Sequence, residues 1–260
     1  MHILVLLKMV PDVVEELEVA PDNIGLDPDF LRMILSESDD CALEQALLLK
    51  ERHGARITVM ALEAPEVEDA LFAALAKGAD RAIKVTGGME TRTTREAAAV
   101  LAEVVATEPN LASADMVLTG VQAIDDLDGL IAPLLADRLA MPYLGIVTRL
   151  EVDPAGTTAT ALKEYPDGYR GEFEVSLPAV FGMQAAERPP RYVPVAKVRA
   201  TRKSQTIECI PAPGIPEHLS MVRTLAMGKP AAGEGAQIFE GSPEVVCGKL
   251  CGVLAERGLL

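Results

Sequence analysis

Along the first 150 residues, short apolar runs alternate with longer stretches of helical spacing. The runs are His2 to Leu7, Arg56 to Leu62, Arg81 to Val85, Met116 to Thr119 and Leu144 to Val147. Runs of this kind, without polar alternation, suit strands whose two faces are both covered by helices, so the pattern predicts an α/β fold built on a doubly wound parallel sheet. Between Asp40 and His53, the side chains of Ala42, Leu43, Ala46, Leu47 and Leu49 fall on one helical face. Ser38 or Asp39 is expected to cap that helix, Gly54 to end it, and His53 to sit as a helix-end cation. Pro65 to Lys77 repeats the logic, with Val67, Ala70, Leu71, Ala74 and Leu75 inward and Gly78 at the end; a third helix is expected from about Thr94 to Ala106.

After Pro142 the pattern changes. Leu150 to Val152, Thr157 to Leu162 and Tyr169 to Leu177 alternate around Pro166-Asp167-Gly168, which predicts an antiparallel hairpin added to the parallel core. Glu187 to Lys203 holds Pro189, Pro190 and Pro194, a density that reads as a surface loop. That segment gathers Arg188, Arg191, Lys197, Arg199, Arg202 and Lys203, so it is expected to dock a partner rather than merely connect elements. Pro211 to Gly235 reads as extended or irregular, with an apolar patch at Met221 to Met227. Pro243 to Leu259 reads as a closing helix capped by Ser242. The expected organisation is one α/β domain over residues 1–210 and a C-terminal arm over 211–260 that packs on its own domain or on a partner subunit.

Composition narrows the function classes. A formal charge of −15 opposes non-specific binding to nucleic acid or to an anionic membrane, both of which need a positive field. Aromatic residues make up only 3% of the chain, which disfavours base-stacking platforms. The apolar stretch in MHILVLLKMVPD is too short for a signal peptide or a membrane span, so no membrane insertion and a cytoplasmic location are expected. Cys41, Cys209, Cys247 and Cys251 are too scattered for a disulfide framework and are expected to be reduced. His2, His53 and His218 are dispersed, and no metal site is expected.

Candidate chemistry concentrates between Asp115 and Leu139, where an apolar run ends in a polar acidic loop and then reopens as a helix from about Gly129. A strand end facing a helix N-terminus in this way is a nucleotide-binding arrangement. The loop carries Asp125, Asp126 and Asp128 and no lysine, so backbone dipoles rather than a side-chain cation are expected to hold any anion.

Several segments, in order, resemble the beta subunit of electron transfer flavoprotein over nearly the whole chain. They are Lys8 with Val10-Pro11-Asp12, Ala42-Leu43-Glu44-Gln45-Ala46, and Ala73-Ala74-Leu75-Ala76-Lys77-Gly78-Ala79-Asp80. Gln122-Ala123-Ile124-Asp125-Asp126, Leu177-Pro178-Ala179-Val180 and Pro190-Arg191-Tyr192 complete the series. The resemblance implies a Rossmann-like, adenine-nucleotide-binding fold and an electron carrier without turnover of its own. It also implies a heterodimer with an alpha subunit that holds most of a redox FAD, flavin-dependent dehydrogenases as partners, and AMP, or in some branches a second FAD, in the beta subunit.

Carried over by resemblance, the nucleotide cup consists of Leu6; Ser36, Glu37, Ser38 and Asp39; Glu63; and Gly120, Val121, Gln122, Ala123, Ile124, Asp125, Asp126, Leu127, Asp128, Gly129, Leu130 and Ile131. Except for Leu6, these follow strand ends or open helices, the usual crevice of such sheets. Ser36-Glu37 stands where the family has asparagine-proline. Leu130, Ile131 and Ala132 stand where it has glutamine, threonine or valine, and glycine; Asp128 is expected to cap the helix in the anion's place. Weakly held AMP, another nucleotide or an empty site therefore stay open. Residues 183–205 resemble the family's recognition loop, which implies docking by Arg191, Tyr192, Val195, Lys197 and Arg199, with Val195 in place of an anchoring leucine. A nucleotide hydrolase is disfavoured, since no Gly-rich loop with lysine and no nucleophile beside a histidine is present. A nucleotide-sensing homodimer of the stress-protein type is the remaining alternative.

Overall fold

A computed structural model describes residues 1–87, 93–126, 128–214, 224–231, 233 and 235–260. Its first half is a run of strands and crossover helices: β1 (His2–Leu7), β2 (Met9–Pro11), β3 (Met33–Leu35), α1 (Glu37–His53), β4 (Arg56–Leu62), α2 (Val67–Lys77), β5 (Arg81–Thr86), α3 (Thr94–Thr107) and the short α4 (Pro109–Ala112). The second half continues with β6 (Met116–Gly120), α5 (Ile131–Leu139), β7 (Tyr143–Val152), β8 (Thr158–Glu164), β9 (Arg170–Ser176), β10 (Ala179–Met183), α6 (Val195–Ser204), β11 (Glu208–Pro211) and α7 (Pro243–Glu256).

Among the described residues the main sheet runs β11-β5-β4-β1-β6-β10-β7-β8-β9. Every residue of β1 is buried, and its alternation divides the core. Ile3, Val5 and Leu7 join α1 and α2 on one face, whereas Leu4 and Leu6 join α3 and α5 on the other. This is the doubly wound arrangement expected of aliphatic runs buried on both sides. The chain builds outward from β1 through β4 to β5, then returns to lay β6 against the opposite edge of β1. The point where strand order reverses lies between the carboxyl ends of β1 and β6, and ligands of open α/β sheets bind in such crevices.

The predicted helices α1, α2 and α3 and the first strands form with small boundary differences, but several expectations are corrected. The cap of α1 is Ser36, not Ser38 or Asp39, which lie inside its first turn. Gly54 ends α1 at φ 67°, a left-handed turn that suits glycine. Leu144–Val147 and Leu150–Val152 belong to one strand, β7. Its first half is parallel to β10, and its second half is antiparallel to β8 across a register shift. β10, unmarked by any periodicity, inserts between β6 and β7 and is parallel to both. The hairpin addition is β8 with β9.

The proline-rich segment is also corrected: it is not loop throughout. Pro189, Pro190 and Pro194 all precede α6, where Pro194 serves as the N-cap and costs the helix no internal hydrogen bond. Val198 packs α6 against the core, and Arg202 pairs with Asp69 and lies 4.9 Å over the Phe72 ring. Ser242 occupies the N-cap of α7 but makes no side-chain capping bond there. Of the expected Met221–Met227 patch, residues 221–223 lie outside the described residues. The arm touches its own body where Met227 N–H donates to Asn23 O at 2.6 Å and Lys229 lies between Glu16 and Glu18. No helix among the described residues is long and apolar enough to cross a membrane.

Candidate functional site

The crevice between β1 and β6 is assembled by backbone polarity before any ligand is considered. Asp39, in the first turn of α1, is 6% exposed and reaches both strand ends. Its Oδ1 accepts from Gly120 N–H at 2.5 Å, and its Oδ2 accepts from Lys8 N–H at 2.9 Å. Ser38 Oγ donates to Gln122 O at 2.9 Å, and Ser36 N–H donates to Lys8 O at 2.9 Å. The start of α1, the end of β1 and the loop after β6 are thus one hydrogen-bonded unit. Gly120 is required by this close approach: a Cβ there would stand 2.2 Å from Ser38 Oγ and 2.6 Å from Asp39 Oδ1.

Burial pushes the Asp39 carboxyl up to about 7, against two backbone donors and the charge of Lys8 that favour ionisation. The acidic loop carries no lysine of its own, but the fold brings one to it from β1. Lys8 Nζ, leaving the end of β1, pairs with Asp125 at 2.7 Å and with Asp126 at 2.9 Å. Burial lowers the Lys8 pKa, but its bonds to these two carboxylates outweigh that and hold it above its ordinary value. The second oxygen of Asp126, Oδ1, is buried without a hydrogen-bond partner.

Helix α5 begins at Ile131 rather than Gly129, and Leu130 rather than Asp128 holds the N-cap position. Asp128 Oδ1 instead accepts from Leu130 N–H at 3.0 Å, forming a local turn before the helix. The first turn supplies the N–H groups of Ile131 and Ala132, whereas Pro133 supplies none. Gly129 at φ 60° lets the loop fold over Val121 O, 3.1 Å from where a Cβ would lie.

The expected cup residues divide accordingly. Ser36, Ser38, Asp39, Gly120 and Gln122 meet directly, and Lys8, absent from the expected set, joins Asp125 and Asp126 to them. Val121 is tied to β10 through Met183 O at 2.8 Å, Ala123 is buried, and Glu37, Ile124 and Leu130 are exposed. Leu6 is 4% exposed with its side chain in the core, so only its backbone is placed to face a ligand. Glu63 follows β4 but bonds toward β5, its N–H to Val85 O and its Oε2 from Gly87 N–H. Leu127 lies outside the described residues.

The expected docking residues separate as well. Tyr192 is 83% and Val195 58% exposed, and Lys197 and Arg199 are exposed on α6. Arg191 is held within the chain by carboxylates of α1. Its guanidinium binds Glu44, which is almost fully buried on α1, and also Glu51, while its N–H donates to Glu44 Oε2 at 3.0 Å. Beside it, Arg52 pairs with Glu187, which Gln45 also contacts at 3.3 Å. Both anchors therefore fix the segment from Glu187 to Arg191 to α1.

The electron transfer flavoprotein domain model matches residues 30–213. Electron transfer flavoprotein subunit beta of Clostridium acetobutylicum is 34% identical over 202 residues, 76% of this chain and 74% of the relative. The subunit beta of Syntrophomonas wolfei subsp. wolfei is 32% identical over 252 residues, 96% of this chain and 94% of the relative. Protein FixA of Azorhizobium caulinodans is 30% identical over 212 residues, 80% and 74% of the two chains.

Proposed function

The chain belongs to the electron transfer flavoprotein family, and from that premise we propose that it is the beta subunit of a heterodimeric electron carrier. In this reading an alpha subunit holds most of the FAD and flavin-dependent dehydrogenases deliver electrons to the pair. The observation that carries the heterodimer is α7. This largely apolar helix has no buried residue, Val245 and Leu250 being 49% exposed, and Ile238 ahead of it is 81% exposed. An arm with that much apolar surface calls for a partner that covers it. Tyr143, Tyr165, Tyr169 and Phe173, exposed on the β7–β9 extension, offer a second surface of the same character.

The flavin supplies the redox chemistry, and this chain supplies fold and docking. Residues 36–39, 63 and 120–131 include no aromatic side chain, so the crevice offers no wall for stacking an isoalloxazine ring. That favours a redox flavin seated chiefly on the partner. The crevice also fits a phosphate poorly as it stands. Lys8 is committed to Asp125 and Asp126, Gly120 N–H to Asp39, and Leu130 N–H to Asp128. We read it as a nucleotide recess whose anion donors are held by the chain's own carboxylates.

Docking of dehydrogenases is assigned to α6 and the Tyr192–Val195 approach to it. Reversing Lys197 and Arg199 to glutamate is expected to slow electron delivery from an acidic-surfaced dehydrogenase about tenfold at low salt and to flatten its ionic-strength dependence. Exposed charges act chiefly on association rate. Stopped-flow reduction of the complex across a salt series measures this, and unchanged kinetics would remove α6 from the docking surface.

A further inference from the structure

We infer that Arg202 is the positioning residue of the docking helix: by lying over Phe72 and pairing with Asp69, it fixes the rotation of α6 and turns Arg199 and Lys203 toward an acidic-surfaced dehydrogenase. The inference rests on the reading of α6 as a docking surface and names the side chain that sets its presentation. Geometry carries it. The Arg202 guanidinium lies 4.9 Å over the ring of Phe72, itself only 8% exposed, while its Nη2 donates to Asp69 Oδ1. Asp69 and Phe72 are three positions apart on α2 and share a face, so one guanidinium meets both.

Helical spacing converts that contact into an orientation. Val198, the α6 side chain packed on the core, lies four positions before Arg202, and the two form one inward stripe. Arg199 and Lys203, each one position further along, form the next stripe, rotated by about 100°. Both are exposed. Upstream, the pairs of Arg191 with Glu44 and Glu51 and of Glu187 with Arg52 end on α1 before α6 begins, and exposed Tyr192 and Pro194 follow them. Those anchors hold the approach to the helix rather than its rotation. An ion pair as open to solvent as that of Arg202 and Asp69 adds little to global stability. It gives the neighbouring charges a fixed direction instead, which acts on association with a partner and not on electron transfer once the two have met.

The test uses the complex of this chain with an electron transfer flavoprotein alpha subunit and, as probe, a purified flavin-dependent dehydrogenase that reduces it. Arg202→Ala is expected to raise the KM of that dehydrogenase for the complex about fivefold with kcat unchanged, the signature of lost binding rather than lost chemistry. Arg202→Lys, which keeps the charge and its reach to Asp69, is expected to recover most of that loss. Asp69→Asn gives the deciding sign. Removing a negative charge would by itself improve binding of an acidic partner, whereas a loosened α6 raises KM, and a rise of about twofold is expected. If Arg202→Ala fails to fold, Asp69→Asn, a near-isosteric change at an exposed side chain, decides alone. A KM lower or unchanged in Asp69→Asn would overturn the positioning role, a lower one making Arg202 itself a docking cation. If reversal of Lys197 and Arg199 to glutamate still slows reduction, that failure leaves α6 as the docking surface; if the reversal also has no effect, the docking reading falls with it.

Discussion

Replacing Arg191 by alanine is expected to destabilise the chain by about 3–5 kcal/mol, the cost of leaving one partner of a buried ion pair uncompensated. Glu44 sits on α1 with its side chain 4% exposed, and Arg191 satisfies both of its oxygens while Glu51 holds the guanidinium from the other side. Burial alone would raise the Glu44 carboxyl; the Arg191 bonds hold it below its ordinary 4.5. The pair's stabilisation is therefore complete above about pH 4.5 and is lost as pH falls through the lowered folded value. Urea unfolding at pH 7 measures the effect, with Arg199→Ala as the exposed control expected to lie within about 0.5 kcal/mol of wild type. Equal midpoints for the two variants would return Arg191 to the free docking surface.

Gly120→Ala is expected to damage the crevice as directly as any single methyl group. The added Cβ would stand 2.2 Å from Ser38 Oγ, 2.6 Å from Asp39 Oδ1 and 2.9 Å from the backbone nitrogen of Asp39. Rotating Ser38 relieves the first contact, but the third is with backbone, so the first turn of α1 must move away from β6. Overpacking of this kind costs about 1–3 kcal/mol. The local signature is faster amide exchange at Lys8 and at residue 120, whose N–H groups both donate to Asp39. Unfolding curves and exchange profiles indistinguishable from wild type would mean that the first turn of α1 is not held against β6 as described.

What the sequence made legible follows from the range of the interactions concerned. Ile3, Val5 and Leu7 against Leu4 and Leu6 announce a strand covered on both faces, because burial of both alternating sets is a local pattern. The place of β10 was not legible: Ala179–Met183 is an apolar run as long as β6, but its position between β6 and β7 depends on pairing with strands far away in the chain. α6 was hidden by its prolines, whose effect depends on whether they fall before or within a helix. Charge was the least legible property. Lys8 lies 117 positions from Asp125, and Arg191 lies 147 from Glu44. As a result, a loop partly compensated by Lys8 read as an uncompensated one, and an arginine paired with Glu44 and Glu51 read as a free cation. The helix start at Ile131 differs from the expected Gly129 because Asp128 spends its carboxylate on Leu130 N–H in a turn of its own.

The claim that binds these observations together is that the chain is completed by a flavin-bearing partner. Its exposed C-terminal helix and its likeness to one beta subunit over 96% of its length both point that way. The most direct measurement is co-expression with an electron transfer flavoprotein alpha subunit, followed by size-exclusion chromatography with absorbance read at protein and flavin wavelengths. The account expects one heterodimeric peak carrying visible flavin absorbance, lost when residues 236–260 are deleted. A colourless monomer or homodimer of this chain, eluting apart from the co-expressed subunit, would contradict it.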